Sequence, residues 1–240
     1  MSLFRHIPNF LTLLNLCLGV IGASEAALGR LHNAWYLMLL CGILDLADGF
    51  VARWLNVITP IGKELDSLAD LVSFGVTPAL ALMSTMRELG SLSSNSLNNQ
   101  IVHLIPFISV ILPASTALRL ARFNHDPNQS KWFRGLPSPA SGLFAISFTI
   151  WVVDLNTSAS VKVLVCVAMI LILSAFMLSP IRLASLKIKS NSRIKAIIIL
   201  ALSLISGILI YILNFGAALP ILLMYFIVSI FVHQLMNTTK

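Results

Sequence analysis

The sequence predicts an all-α, polytopic membrane helix bundle of about eight transmembrane helices. Composition is the first reason: 58% of the 240 residues are hydrophobic and 10% are charged, where soluble domains carry about 25% charged residues. Mean hydropathy is +0.92. The second reason is length, because several apolar runs reach the roughly 18 residues that cross about 30 Å of hydrocarbon. The third is charge placement. Lys and Arg fall in short loops, so the net charge of +7 reads as membrane topology. No basic run is interleaved with aromatics, which argues against nucleic acid as a partner.

The helices follow in order. Arg5 precedes an apolar stretch and Gly22–Ser24 resembles a weak cleavage site. The apolar run continues past Glu25, however, so the segment reads as a retained first helix over 10–28 rather than a signal peptide. A second helix covers 33–56. Thr59-Pro60 then supplies an N-cap and a proline in the first turn of a third helix over 60–85. The polar stretch RELGSLSSNSLNNQ follows as a loop. Further helices cover 101–123, 139–155, 161–179, 195–214 and 217–236. The chain reads as one integral membrane domain over 1–240, with its motif-bearing core at about 7–155 and the last helices at about 161–236. No repeat or soluble tail is visible.

Of the 16 Lys and Arg residues, all but Arg30, Arg87 and Lys162 fall on one side of this arrangement. That side is expected to be cytoplasmic, with both termini and the loops after the second, fourth and sixth helices. Asn128 and Asn156 match glycosylation sequons of a kind common by chance. Cys17, Cys41 and Cys166 lie apart in apolar runs without zinc spacing and read as packing residues. His6, His103, His125 and His233 share no ligand spacing. Glu25, Arg30 and His32 lie at the opposite membrane face and read as interfacial.

Four aspartates, Asp45, Asp48, Asp66 and Asp70, stand between Leu44 and Phe74. A charge at the centre of a span costs about 2.5–3.5 kcal/mol on insertion scales, so it faces a bundle interior or wet cavity. Asp45 and Asp48 are spaced i, i+3 and Asp66 and Asp70 i, i+4, which puts each pair on one helix face. The short connection makes the two helices antiparallel neighbours. Asp48 and Asp66 then lie at similar depths, roughly 9–12 Å below the turn. Facing carboxylate pairs suit hard divalent cations, Mg²⁺ or Mn²⁺. Gly49 and Ala52 either allow close helix packing or leave room for a flat ligand beside the metals.

The string Asp45-x2-Asp48-Gly49-x2-Ala52-Arg53-x8-Gly62-x3-Asp66-x3-Asp70 resembles the signature of the CDP-alcohol phosphatidyltransferases at every fixed position. The resemblance implies that family's membrane-helix fold, a homodimer and two divalent metal ions. It implies metal ligation by Asp45, Asp48, Asp66 and Asp70, with Asp70 as the general base that deprotonates the acceptor alcohol. CDP binding would fall to Asp45, Asp48, Gly49, Ala52, Arg53, Gly62 and Asp66. Asn9 and Thr12 either touch the nucleotide phosphates or cap the first helix.

Ile7–Leu16, Asp66–Ala79, Arg119–Asn124 and Phe133–Ser141 further resemble the serine-accepting branch, over about residues 7–145. The expected reaction joins CDP-diacylglycerol and L-serine into phosphatidylserine and CMP at the cytoplasmic membrane face, among membrane lipids. Arg119, Arg122 and Arg134 are candidates for holding the serine carboxylate, or else anchors for lipid phosphates. Phosphatidylglycerophosphate or phosphatidylinositol-phosphate synthesis differs only in acceptor. A cation transporter predicts acids spread over several helices and perhaps repeats, whereas here they sit on one helix pair.

Overall fold

The computed structural model describes residues 6–57, 59–92, 103–125, 132–179 and 182–184, with backbone alone at 92, 132–134 and 182–184. The expected helices over 195–214 and 217–236 lie outside the described residues. Each of the earlier expected helices is present. They are α1 (Ile7–Ala27), α2 (Leu31–Trp54), α3 (Pro60–Asp70), α4 (Thr77–Leu92), α5 (Ile111–His125), α6 (Ser138–Asp154) and α7 (Ala159–Leu178). A π-helical turn over Leu71–Val76 joins α3 to α4, so the two form one rod. Among the described residues, five helical segments are long and apolar enough to cross a membrane, and Ser138–Asp154 is shorter.

Three features depart from expectation. α1 starts at Ile7, because Pro8 sits in the first turn, where its missing N–H costs no helix bond. α4 runs through Arg87 and Glu88 into the polar stretch expected to be a loop. These residues favour helix, and the Arg87 guanidinium lies 5.3 Å from the centre of the Phe107 ring. A short antiparallel pair, β1 (Trp132–Arg134) with β2 (Arg182–Ala184), joins the segments before α6 and after α7, with Phe133 opposite Leu183.

α1 and α2 form a tight hairpin. Gly29 takes φ +75°, and a Cβ there would meet nothing within 4 Å, so the turn needs its backbone freedom rather than its size. Pairings run down one helix as they climb the other: Gly22 beside Leu37, Asn15 beside Cys41, Thr12 beside Asp48. Against α4 the sense is opposite. Ser73 bonds Asn15, Thr77 bonds Gly19 and Ser84 bonds Ala26, each across 58 residues. α1 and the α3–α4 rod are therefore parallel. The start of α1, the end of α2 and the start of α3 meet at one end of the bundle.

Two apolar clusters support that meeting point. One packs Leu82, Met86, Leu112, Ile170 and Met177 between α4, α5 and α7. The other packs Met38, Cys41, Phe74, Ala81 and Ile146 around the π-helical turn. α6 crosses the turn closely, and a Cβ at Gly142 would stand 2.7 Å from the Phe74 carbonyl oxygen. Outward, α2 exposes Ile43, Leu46, Phe50 and Trp54, a stripe suited to lipid and opposite its aspartates.

Candidate active site

The two acidic helix ends are built by ordinary local rules. Thr59 Oγ1 accepts from Gly62 N at 3.0 Å, the N-cap read from the sequence, and Pro60 opens α3. Helical spacing then turns Asp66 and Asp70 inward while Ile61 and Leu68 face out. On α2 the same spacing turns Asp45 and Asp48 toward α3. Oxygen atoms of Asp45, Asp48 and Asp66 all lie within 4.8 Å of one another. Asp48 is buried, and Asp45 and Asp66 are half-buried. Asp70 lies one turn deeper on α3, buried, outside that group of three but within electrostatic range of Asp45 and Asp66.

This grouping is unfavourable as it stands. Two unit charges at such separation repel by about 3 kcal/mol at an effective dielectric of about 20. Asp45, Asp48 and Asp66 form no ion pair among the described residues. Inner oxygens of Asp66 and Asp70 are buried without a hydrogen-bond partner, a state that native structures rarely leave unanswered. An all-oxygen, densely anionic donor set fits a hard divalent cation.

α1 supplies polar partners from its first turns. The Thr12 hydroxyl lies 2.6 Å from Asp48 Oδ2 and 3.0 Å from the Pro8 carbonyl. With a single proton to give, it serves the carboxylate better, since charge-assisted bonds are the stronger kind. Asn9 caps nothing, as α1 begins at Ile7 without a side-chain cap. Instead Asn9 reaches α3, where a Cβ on Gly62 would lie 3.0 Å from its Oδ1. A Cβ at Gly49 would lie 3.6 Å from Arg53 Nη1, and Ala52 is half-buried on the same helix end. Gly49 thus leaves room for the Arg53 guanidinium to lie against its own helix, and Gly62 lets Asn9 and Thr59 close against α3.

The three candidate arginines separate. Arg119 is buried, donates from Nη1 to Ser138 Oγ at 2.5 Å, and lies within electrostatic range of Asp70. Arg122, one turn further along α5, is exposed. Arg134 is described by backbone alone, on β1.

Several neighbours escaped the sequence reading. Lys63 Nζ donates to the Asn124 carbonyl at 2.8 Å, and Asn124 Nδ2 donates to Ser67 Oγ at 2.9 Å. These bonds tie α3 to the end of α5. Ser138 holds Arg119, and Asn15 and Ser73 form a buried pair below the carboxylates. The segments Arg119–Asn124 and Phe133–Ser141 carried Asn124 and Ser138 in plain view. Nothing in local spacing shows which distant residue each would meet.

Fold and site together define an integral membrane protein with a carboxylate cluster between neighbouring helices, near one end of its bundle. The chain belongs to the CDP-alcohol phosphatidyltransferase family, whose model matches residues 5–176. It is 31% identical over 151 residues to the CDP-diacylglycerol–serine O-phosphatidyltransferase of Bacillus subtilis, a match covering 60% of this chain and 77% of that protein. It is 36% identical over 148 residues to the enzyme of the same name from Mycobacterium leprae, covering 58% of this chain and 45% of the relative. The archaetidylserine synthase of Methanothermobacter thermautotrophicus is 34% identical over 147 residues, covering 60% and 58%. This chain thus spans about half the length of the last two.

Proposed function

We propose that this protein transfers a phosphatidyl group from CDP-diacylglycerol to the hydroxyl of L-serine, giving phosphatidylserine and CMP. The observation that carries the reading is the convergence of Asp45, Asp48 and Asp66 to within 4.8 Å in a chain of this family. The serine-directed names of its relatives support the choice of acceptor.

Asp45, Asp48 and Asp66 would hold Mg²⁺ or Mn²⁺, with Asp70 adjoining for a second ion. What such ions supply when bound is polarisation of the phosphoryl oxygens and charge for the departing oxygen. The serine oxygen attacks the phosphorus that bears the diacylglycerol. The P–O bond to CMP breaks, and the serine hydroxyl proton passes to an Asp70 carboxylate oxygen. Gly49, Ala52, Arg53 and Gly62 would line the site for the cytidine nucleotide, with Asn9 packed beside Gly62. Arg119, fixed by Ser138 near Asp70, is the arginine best placed for the serine carboxylate. The sequence's charge bias puts this end of the bundle, and both termini, at the cytoplasmic face. A homodimer is part of the same reading.

The test supplies membranes holding the protein with CDP-diacylglycerol, Mn²⁺ or Mg²⁺, and labelled serine, glycerol 3-phosphate or inositol phosphate in separate reactions. Label should enter lipid from serine. Labelled lipid from another acceptor, with none from serine, overturns the assignment.

A further inference from the structure

We infer that Asn15 is a positioning residue that holds Asp70 from below, its amide Nδ2 bonding the inner Asp70 oxygen through one water. The inference rests on the reading of Asp70 as the base.

Three helices contribute one residue each to a layer one turn deeper than the carboxylates. Asn15 lies three residues after Thr12 on α1, Cys41 four before Asp45 on α2, and Ser73 three after Asp70 in the π-helical turn. The layer is closed and polar. Asn15 and Ser73 are fully buried, as is Cys41. Ser73 Oγ donates to Asn15 Oδ1 at 2.9 Å, and Cys41 Sγ lies 3.5 Å from the Asn15 carbonyl. Gly19 makes the approach possible, because a Cβ there would collide with Ser73 Oγ.

The Ser73 bond also orients the amide. With Oδ1 committed to Ser73, Nδ2 points elsewhere, and it is a buried donor without a protein partner. Buried amides without partners are rare, and losing such a bond costs more than forming one gains. One turn above Ser73 on the same rod stands a complementary orphan, the unpartnered Oδ1 of Asp70. Helical side chains lean toward their own N-terminus. α1 and α3 both start at the carboxylate end, so Asn15 leans up toward the aspartates. A water between this donor and the Asp70 oxygen answers both orphans, which is the usual role of buried water.

The experiment compares Asn15→Leu, Ser73→Ala and Asp70→Asn in the full chain, in detergent with CDP-diacylglycerol, serine and Mn²⁺. For Asn15→Leu the expected result is a fall in kcat of about tenfold or more, with KM for CDP-diacylglycerol within about twofold of wild type. The rise in melting temperature caused by Mn²⁺ should persist. Ser73→Ala should show the same pattern more weakly, at about threefold. Asn15→Ala replaces the leucine variant should that one fail to fold. A merely structural role predicts a lower melting temperature with kcat per folded molecule intact, and that result overturns the inference. Wild-type kcat in Asn15→Leu beside an inactive Asp70→Asn sinks this inference alone. Full activity in Asp70→Asn sinks the base assignment, and this inference with it.

Discussion

The two ends of the α1–α2 hairpin treat carboxylates in opposite ways. At the Gly29 turn, Glu25 receives Arg30 Nη1 at 3.2 Å and Asn33 Nδ2 at 2.7 Å, all near the surface. At the other end, Asp45, Asp48 and Asp66 crowd together, and Thr12 donates to Asp48. One end has its negative charge answered by the protein. The other gathers more charge, buries it further and leaves oxygens without partners. Folding alone has no use for such a cluster, since buried charge is stabilising only when paired. The contrast is what the proposed metal and nucleotide site requires.

Substitutions at the two ends should therefore behave differently. Asp66→Asn or Asp45→Asn removes a proposed metal oxygen, and the serine-transfer rate is expected to fall by more than about 100-fold. Melting temperature should hold or rise, because like-charge repulsion is relieved. A mutant that loses activity by unfolding would erase the contrast. Thr12→Val keeps the shape and removes the donor to Asp48; a loss of about 10- to 100-fold in activity or metal affinity is expected from Mn²⁺ titrations. Gly62→Ala sets a methyl 3.0 Å from Asn9 Oδ1 and Thr59 Oγ1, so a few-fold rise in KM for CDP-diacylglycerol should appear with stability little changed. Smallest is Glu25→Gln. It should leave transfer within about twofold of wild type and cost at most about 1 kcal/mol in stability, as for an exposed ion pair.

The same contrast explains what could be read from the sequence. Asp45 and Asp48, and Asp66 and Asp70, are legible because helical spacing puts each pair on one face, and Thr59-Pro60 announces where their helices turn. The helices themselves are legible as apolar runs. The partners that complete the site are not. Thr12 reads as either a helix cap or a nucleotide contact, and its bond to Asp48 shows only once α1 is seen to pack antiparallel to α2. Asn15 and Ser138 read as ordinary polar residues, since their roles depend on contacts with Ser73 and Arg119 in other helices. The π-helical turn left no mark in the hydropathy of 60–85. Its effect shows where Phe74 and Gly142, and Gly75 and Thr116, must fit together.

The most direct test asks whether the carboxylate cluster needs divalent cations to transfer phosphatidyl groups to serine. Protein treated with EDTA in detergent is given CDP-diacylglycerol and labelled serine, and CMP and labelled lipid are followed as Mn²⁺ is added back. The account predicts neither product before addition, and both in equal amounts as Mn²⁺ saturates, with no recovery in Asp66→Asn. Undiminished transfer in EDTA, or recovery of Asp66→Asn at the same Mn²⁺ concentration as wild type, would contradict it.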